Sequence, residues 1–354
     1  MRRILVIRLS SIGDIVHALP AVAALGESFP EAEIFWAVEK RYAEILEGNR
    51  FVRRVLELDT LGWRSRWTSL RTADEAVRSL VRLRGLHADV AVDFQGLLKS
   101  AALAGISGAP LRAGFEERWL REPAAAAFYT ERVPAHGRGH AVEENLALVE
   151  RLGARPVPRC RWQFPLPCSP EAEHRVDEGL AALGARKFMV INPGGGWTSK
   201  RWPPERYAEL VRDLEEEDGY RVLLTGSPAE EPMIHGILEQ AKTGRAAYFP
   251  STLVEFMALV RRARLWVGGD TGPLHLAAAL GTPIVAIYGP TNPARNGPFQ
   301  ASDITLRSGG PEDRADRRTH WHPGEARRPT HLEGVTVGAV RAAIRQRLAA
   351  ADGD

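Results

Sequence analysis

The 354-residue chain contains only two cysteines, and its first residues lack an apolar run long enough to cross a bilayer. Cys160 and Cys168 stand without a matching pair of histidines, so we interpret them as free thiols and not as a disulfide framework or a zinc site. Arg2 and Arg3 are followed by only four apolar residues before Arg8, which argues against a signal peptide. These absences predict a cytoplasmic protein.

The chain also lacks a strong net charge. The formal value is +3, which gives no indication of nucleic acid binding. Charge is less even locally, because residues 50–84 hold nine arginines against four acidic residues. A solvated face and a contact with an anionic surface both explain this excess, and the sequence leaves both open.

Two common nucleotide-binding signatures are missing. The first strand-to-helix turn, 9–14, lacks the G-x-G-x-x-G spacing through which a dinucleotide approaches the backbone, which disfavours a nicotinamide enzyme. Segment 191–210 lacks G-x-x-x-x-G-K-[ST], so triphosphate hydrolysis is unsupported. No metal site is predicted at the isolated histidines His320, His322 and His331.

Short apolar runs alternate with helical patterns through both halves of the chain, which is typical of parallel βα units. The stretch 155–171, with five prolines, separates the halves and is the expected linker. We therefore predict an α/β protein with two Rossmann-like, doubly wound domains, 1–165 and 166–334, that face each other across a cleft. A polar, basic loop at 309–334 precedes a last helix at about 335–354.

The opening stretch RLSSIGDIVHALPAV, residues 8–22, places a carboxylate where a strand meets a helix. Gly13 allows a tight turn, and the helix would point its N-terminus and Asp14 into the crevice at the strand ends. Asp is also a favoured N-cap, which explains its presence without any chemistry. The residues alone leave both a capping role and a catalytic role open, and one side chain can serve both.

A glycine-rich turn, INPGGGWTSKRWPPERYAEL at 191–210, lies early in the second half. Gly194, Gly195 and Gly196 let backbone N–H groups reach an anion, and Lys200 adds a full positive charge. A flexible loop closed by an exposed lysine is the alternative. Because three glycines cost backbone entropy without adding packing, the pattern favours a phosphate site.

The segment VGGDTGPLHLAAALGTP at 267–283 predicts a second anion site. Asp270 and Thr271 can cap the helix that follows a buried strand, and Gly272 leaves the helix N-terminus open to a ligand. His275 falls one turn along this helix. In isolation it is typical of a core histidine, but beside the glycine-rich turn we interpret it as a ligand contact.

Glu230 closes the tetrapeptide Ser-Pro-Ala-Glu at 227–230. This spacing is a capping box with Pro at the first helical position. A carboxylate at a strand end can equally hold ribose hydroxyls. Both interpretations stay open.

Six segments resemble the lipopolysaccharide heptosyltransferases. The family as a whole shares RLSSIGDIVHALPA (8–21), SKRWP (199–203) and GDTGPLHLAAALGTP (269–283). Three others are most similar to heptosyltransferase I, the branch that adds the first heptose: WRSRW (63–67), DFQGLLKSAAL (93–103) and WLREPAAAAFY (119–129).

The resemblance implies a GT-B fold in which the last helix packs back on an N-terminal acceptor-binding domain. It implies inverting transfer of L-glycero-D-manno-heptose from ADP-heptose, bound by the C-terminal domain, to a Kdo sugar of Kdo2-lipid A. Asp14 matches the family's catalytic aspartate, a general base that takes the proton of the acceptor hydroxyl. Direct displacement needs one base and a stabilised leaving diphosphate, so no metal cofactor is implied.

The resemblance also implies roles for the other residues. Lys200 would act with Asp14 in catalysis by holding the departing ADP, and Glu230 would meet the ribose. The remaining donor contacts would be Gly13, Gly194, Gly195, Gly196, Asp270, Thr271, Gly272 and His275. The anionic acceptor would meet Ser10, Arg64, Lys99 and Arg121.

Two other functions remain open at this point. One is transfer to the first heptose or to another glycan, as in heptosyltransferase II, and the other is a nucleotide-sugar epimerase or hydrolase on the same scaffold. The expected partners are ADP-heptose, Kdo2-lipid A and the inner-leaflet membrane surface, with no nucleic acid. We expect a monomer on the cytoplasmic face of the inner membrane.

Overall fold

The computed structural model describes residues 1–66, 68–135, 139–195, 201–289, 291–307 and 331–352. The chain divides into two compact units, Met1–Pro167 and Cys168–Asp354. The division falls inside the proline-rich stretch, two residues after the boundary expected from the sequence. Each unit holds one six-stranded sheet in which every strand pair is parallel.

The first unit has the strand order β3-β2-β1-β4-β5-β6. The order reverses between β1 and β4, so the crevice outside their carboxyl ends is the topological switch point of this sheet. Its strands are β1 (Arg3–Ile7), β2 (Glu33–Glu39), β3 (Val52–Leu58), β4 (Val90–Asp93), β5 (Leu111–Phe115) and β6 (Glu131–Val133). Its helices are α1 (Ile12–Ser28), α2 (Thr60–Ser65), α3 (Leu70–Arg84), α4 (Leu98–Ser107) and α5 (Ala141–Glu150).

The central strands of this unit are apolar on both faces. Ile4, Leu5, Val6 and Ile7 of β1 are all 0% exposed, as expected when helices cover both sides of a parallel sheet. Helix α1 is buried along most of its length and packs against α5, which fixes the position of the turn that leads into it.

The second unit repeats the topology, with the order β12-β11-β10-β7-β8-β9 and its switch point between β7 and β10. Its strands are β7 (Phe188–Asn192), β8 (Arg221–Leu224), β9 (Ala247–Tyr248), β10 (Leu265–Gly269), β11 (Ile284–Tyr288) and β12 (Ile304–Arg307). Its helices are α6 (Pro170–Ala182), α7 (Pro204–Glu216), α8 (Glu231–Ala241), α9 (Leu253–Arg262), α10 (Gly272–Ala279), α11 (Pro293–Asn296) and α12 (Val337–Asp352).

The last helix differs from the expectation, which placed it on the N-terminal domain. In the structure α12 packs on α7, β11 and β12, and Val340, Ile344 and Leu348 belong to the core of the second unit. An ion pair also holds α12 to the second unit. Arg347 Nε lies 3.0 Å from Oδ1 of Asp303, and the side chain of Asp303 is fully buried. An apolar helix face shows that a helix is buried, but it does not tell which core it joins.

The predicted loop at 309–334 lies outside the described residues except for its end. There, His331–Gly334 forms a short 3₁₀ helix, and Leu332 is fully buried in the second core.

Candidate active site

The loops after β1 and β4 meet at the switch point of the first sheet, where doubly wound folds bind their ligands. One loop runs through residues 8–11 into α1, and the other runs through 94–97 into α4. We call residues 8–14 and 94–97 the N-corner.

Asp14 stands at the third position of α1 and not at its N-cap, which is Ser11. Its Oδ2 accepts hydrogen bonds from the backbone N–H and the hydroxyl of Ser11, both at 3.0 Å. Its Oδ1 pairs with the guanidinium of Arg8. The Asp14 side chain is 44% exposed whereas that of Arg8 is 12% exposed, so a mostly buried cation lies beside an accessible carboxylate. Asp14 therefore stabilises the helix start and remains accessible to a substrate.

The loop after β4 supports this arrangement from the other side. Gln95 Oε1 accepts a hydrogen bond from the backbone N–H of Leu9 at 2.8 Å. The carbonyl of Phe94 accepts a hydrogen bond from Arg8 Nη1. The backbone N–H of Gln95 donates to Asp93 Oδ1 at 2.8 Å, which fixes the turn itself. The two loops of the N-corner thus hold each other in place.

Asp93 anchors the second loop from inside the core, where it is 0% exposed. Burial raises the pKa of its carboxyl, against hydrogen bonds from Tyr129, Ser100 and the N–H groups of Gln95 and Gly96. The hydroxyl of Tyr129 donates to Asp93 Oδ2 at 2.7 Å. Burial, and then the adjacent carboxylate, raise the pKa of Tyr129, so this hydroxyl stays a donor at any physiological pH.

Lys99 lies at the same strand-end edge and contacts two other elements. Its Nζ is 3.8 Å from Oε1 of Glu39, whose side chain is 3% exposed, and 3.5 Å from the hydroxyl of Thr60. Thr60 also donates a hydrogen bond to Glu39. Since Glu39 ends β2, Thr60 opens α2 and Lys99 lies in the first turn of α4, three elements converge there.

The other predicted acceptor residues lie on neighbouring segments. Arg64 is exposed on α2, four residues after Thr60, and Ser10 is half-buried in the β1–α1 loop. Arg121 is exposed and precedes Glu122, whose Oε2 accepts a hydrogen bond from the N–H of Leu98 at 2.6 Å. The segment of Arg121 is thereby attached to the start of α4, one residue before Lys99. The acceptor-binding role of these four residues stays a prediction.

In the second unit, residues 193–195, 226–230 and 270–275 follow β7, β8 and β10, and we call them the C-corner. Glu230 joins two of these segments. Its Oε1 accepts the N–H of Gly195 at 2.9 Å, and its Oε2 accepts the N–H and the hydroxyl of Ser227, both at 2.8 Å. A Cβ at Gly194 would lie 2.2 Å from Glu230 Oε1, so a side chain there would displace the carboxylate. The capping geometry of Glu230 is present, and its ribose contact stays a prediction.

Two predicted donor-binding residues, Gly196 and Lys200, lie outside the described residues. The chain is described again from Arg201, whose Nε donates to the carbonyl of Gly195 at 2.9 Å. Trp202 is 1% exposed, and its indole N–H donates to the carbonyl of Val335 at 2.9 Å. Both ends of the glycine-rich turn are therefore anchored.

Asp270 and His275 are 5% and 4% exposed and lie together at the start of α10. His275 Nε2 is 3.4 Å from Asp270 Oδ1, and the side-chain amide of Asn296 donates to the same oxygen at 3.1 Å. Asn296 is held in turn by the hydroxyl of Tyr288, which donates to its carbonyl at 2.9 Å. Burial, and then the charge of Asp270, raise the pKa of Tyr288 well above its ordinary value.

Helix α10 begins at Gly272 with Thr271 as its N-cap. The hydroxyl of Thr271 donates to the carbonyl of Gly269 at 3.4 Å and makes no capping hydrogen bond to the first turn. A helix N-terminus whose N–H groups are not capped by a side chain suits an anion, through those groups and the helix dipole. The structure thus places Asp270, Thr271, Gly272 and His275 at one strand end, as the sequence predicts.

Among the residues that position these corners, sequence reasoning missed Arg8, Gln95, Arg201 and Asn296. The first three lie inside segments already singled out, RLSSIGD, DFQG and SKRWP, so a signal was available. Asn296 follows β11 in a stretch without a recognisable pattern, and only its contact with Asp270 shows its role.

Over the part of the chain that the structure describes, no group of three or more His, Cys, Asp or Glu side chains is arranged to hold a metal ion. Within those same ranges, none of the helices combines the length and apolar character needed to cross a membrane.

Solved structures share this architecture over nearly the whole chain. The E. coli heptosyltransferase WaaC with ADP is 27% identical, with a TM-score of 0.80, over 98% of this chain and 99% of that one. The E. coli ADP-heptose lps heptosyltransferase II matches with a TM-score of 0.76 at 23% identity, over 99% and 100%. The predicted fold class is therefore confirmed: the chain has the GT-B fold of glycosyltransferases.

Sequence comparison identifies the family. Glycosyltransferase family 9 (heptosyltransferase) matches residues 77–322. Lipopolysaccharide heptosyltransferase 1 of Pseudomonas aeruginosa is 34% identical over 311 residues, which are 87% of this chain and 84% of that protein. The protein of the same name from Escherichia coli K12 is 29% identical over 86% of this chain and 93% of its own length. The chain belongs to glycosyltransferase family 9, the heptosyltransferases, and the predicted enzyme class is confirmed.

Proposed function

We propose that this chain adds the first heptose of the lipopolysaccharide inner core. It transfers L-glycero-D-manno-heptose from ADP-heptose to a Kdo sugar of Kdo2-lipid A, with inversion at the anomeric carbon. Support comes from the curated relatives named above, which are lipopolysaccharide heptosyltransferases 1. A solved structure at 27% identity, the E. coli enzyme WaaC, carries ADP-2-deoxy-2-fluoro heptose, which supports the donor.

The observation that carries the mechanism is the geometry of Asp14. A general base must be accessible, ionised and oriented. The Asp14 carboxylate is 44% exposed, its Oδ2 is oriented by Ser11, and its Oδ1 pairs with Arg8. Asp14 takes the proton of the acceptor hydroxyl while that oxygen attacks the anomeric carbon. The bond from this carbon to the diphosphate breaks in the same step, and its electron pair leaves with ADP.

The C-corner then stabilises the leaving diphosphate. The N-terminus of α10, which no side chain caps, offers the N–H groups of Gly272 and Leu274, since Pro273 between them has none, and Lys200 adds a positive charge. Asp270, held by Asn296, orients His275 toward the donor. Glu230 supports the glycine turn and meets the ribose. Because Lys200 and the start of α10 both place positive charge at the diphosphate, we expect transfer without a metal ion.

The acceptor is a lipid whose sugars carry carboxylates and whose head group carries phosphates. Lys99, Arg64 and Arg121 meet these anions beside the N-corner, where arginine can bind them through two parallel hydrogen bonds. Working on such an acceptor places the enzyme at the cytoplasmic face of the inner membrane.

A mass-spectrometric transfer assay tests the proposal. Purified protein is incubated with ADP-heptose and either Kdo2-lipid A or the same lipid already carrying one heptose. We expect one added heptose and one released ADP on the first lipid alone. Transfer only to the heptosylated lipid would instead support the second-heptose activity. ADP release without any acceptor would support a hydrolase.

A further inference from the structure

Helix α3 turns an apolar stripe toward solvent. Leu70, Val77 and Val81 are 89%, 58% and 64% exposed. The exposed Ala73 completes a spacing of i, i+3, i+7 and i+11, which places all four residues on one face of the helix.

This stripe is not the face by which the helix packs. Thr72 and Leu83 are its buried residues, and the partly buried Leu80 contacts the first core together with Leu83. The helix therefore has two apolar faces, one in the core and one in water. Single exposed apolar residues are normal on a protein surface. Here, however, three of the six exposed large hydrophobic residues of the described chain share one stripe, which marks an interaction surface.

A row of arginines follows the stripe along one side. Arg71, Arg78 and Arg82 are exposed and repeat the spacing i, i+7 and i+11, each one residue after a member of the stripe. Arg71 lies 3.3 Å from Glu75 and Arg78 lies 2.6 Å from Asp74, so two of the charges are partly balanced. From Thr60 to Arg84 the chain still has six arginines against two acidic residues. The surface is therefore both apolar and positive.

An apolar stripe flanked by arginines fits a membrane of negative charge. A helix of this kind lies in the plane of the interface, with its apolar side chains at the acyl boundary. The arginines reach the phosphates while their stems cover apolar surface. We call Leu70, Ala73, Val77, Val81 and the arginines Arg71, Arg78 and Arg82 the α3 face.

We propose that the α3 face binds an anionic lipid bilayer. The proposal deepens the proposed function, because a lipid acceptor brings the enzyme to a membrane, but the binding does not require catalysis. A second copy of this chain would also cover an apolar stripe. Three arginines along the stripe would then have to meet matching acidic groups, whereas a bilayer of anionic lipids supplies them.

Vesicle flotation with the full chain tests this proposal. One set of vesicles contains phosphatidylethanolamine with phosphatidylglycerol, and the other contains phosphatidylcholine alone. The stripe variant carries Leu70→Gln, Val77→Gln and Val81→Gln, since Gln keeps good helix propensity. The arginine variant carries Arg71→Gln, Arg78→Gln and Arg82→Gln. The control removes three charges from exposed positions elsewhere, with Arg155→Gln, Arg186→Gln and Arg245→Gln.

We expect the unmodified chain to float with anionic vesicles. The stripe variant should bind them about 30-fold less tightly, from the loss of three inserted side chains. The arginine variant should bind anionic vesicles about 100-fold less tightly, at about fivefold for each of the three charges, and should bind phosphatidylcholine vesicles as the unmodified chain does. The control should stay within about threefold of the unmodified chain. Equal binding by all four proteins, or no flotation of the unmodified chain, would overturn the proposal.

Three further experiments separate other outcomes. Circular dichroism and thermal melting show whether each variant is folded, and only folded variants are compared. Molar mass by light scattering would reveal a dimer that the stripe variant abolishes, and such a result would also overturn the proposal.

Transfer to a water-soluble, deacylated Kdo acceptor should be equal in the unmodified chain and the variants. If vesicle binding follows the expectation while transfer fails in every protein, the proposed function is wrong, but the proposal that the α3 face binds an anionic bilayer is upheld.

Discussion

The N-corner and the C-corner have the same topology, but the carboxylate of Asp14 is accessible to solvent whereas that of Asp270 is buried. Both lie at the switch point of a six-stranded parallel sheet, where the strand order reverses. In the N-corner, the Asp14 side chain is 44% exposed and pairs with Arg8. In the C-corner, the Asp270 side chain is 3% exposed and contacts His275 and Asn296. The fold thus selects the place of a site, and the neighbouring side chains decide what a carboxylate does there.

This difference predicts different consequences of the same substitution. An accessible carboxylate with a charged partner can react, and its removal should affect the rate. A buried carboxylate that fixes two side chains should affect stability and binding first. The following changes test that division.

The largest effect is expected from Asp14→Asn. The amide keeps the size of the side chain but cannot take a proton, so transfer should fall about a thousandfold. Melting should change little, because the Asn oxygen can still accept from Ser11, and the loss of the half-exposed ion pair with Arg8 costs about 1 kcal/mol. ADP binding, measured by calorimetry, should be unchanged. A control, Asp177→Asn, removes an exposed carboxylate of the second unit that also pairs with an arginine, Arg262. Asp14→Asn with full activity would show that this residue only caps α1.

A somewhat smaller loss is expected from Arg8→Gln. Without the guanidinium, Asp14 and the carbonyl of Phe94 lose their common partner, and a misplaced base can lower kcat by about 100-fold. Arg8→Lys keeps a positive charge beside Asp14 but loses the planar fork, and it should restore part of kcat. An unchanged kcat in Arg8→Gln would limit Arg8 to packing.

Asp270→Asn should act mainly on the donor side. The new amide faces the amide of Asn296 and leaves a buried donor unpaired, which lowers stability by about 1–3 kcal/mol. We expect the KM for ADP-heptose to rise about tenfold while kcat falls less. Urea denaturation and steady-state kinetics check both parts. If Asp270→Asn lowers kcat as strongly as Asp14→Asn and leaves stability intact, the division between the corners is wrong.

Tyr129→Phe tests the buried support of the N-corner. Burial raises the pKa of Asp93, so the stability that depends on protonated Asp93 is fully present below its ordinary value of 3.8 and is lost as pH rises through the raised pKa. The hydroxyl of Tyr129 opposes that rise by stabilising the carboxylate. Removing it should therefore cost about 1–3 kcal/mol at neutral pH and less in acid.

Urea denaturation at about pH 4 and about pH 8 measures the change in free energy of unfolding. Tyr207→Phe is the matched control, since burial alone raises the pKa of Tyr207 in the second unit. Its deficit should be independent of pH over this range. A pH-independent deficit for Tyr129→Phe as well would exclude Asp93 as the titrating group.

The smallest effect is expected from chelation. If Lys200 and the start of α10 balance the charge of ADP, EDTA should change the transfer rate by less than about twofold. Restoration of a lost rate by added Mg²⁺ would show that the C-corner does not supply enough positive charge by itself.

The sequence predicts where the two corners lie better than the contacts that hold them. Asp14, Gly194 and Asp270 stand seven, two and one residues after the end of a strand, in motifs of a few residues, so local spacing locates them. Gln95 supports Leu9 across 86 positions of the chain. Such a contact depends on β1 and β4 being neighbours, which no local pattern states.

The position of helix α12 is a second feature that local sequence does not predict. Its apolar face predicts burial, but the choice between two similar cores depends on the side chains that fill each one. Arg347, with its partner Asp303, lies in this interface and fixes the helix to the second unit. The sequence does not reveal this pair, because an isolated arginine or aspartate is usually exposed on the surface.

Helix α12 also sets the order in which the two units can be completed during synthesis. Domains generally fold as units, the N-terminal one first, as the chain leaves the ribosome. All elements of the first unit are made by Pro167. The second core includes Leu348, so its apolar surface on α7 and β11 stays uncovered until the last described helix has been translated. During that interval the uncovered second core is the part of the molecule most prone to aggregation.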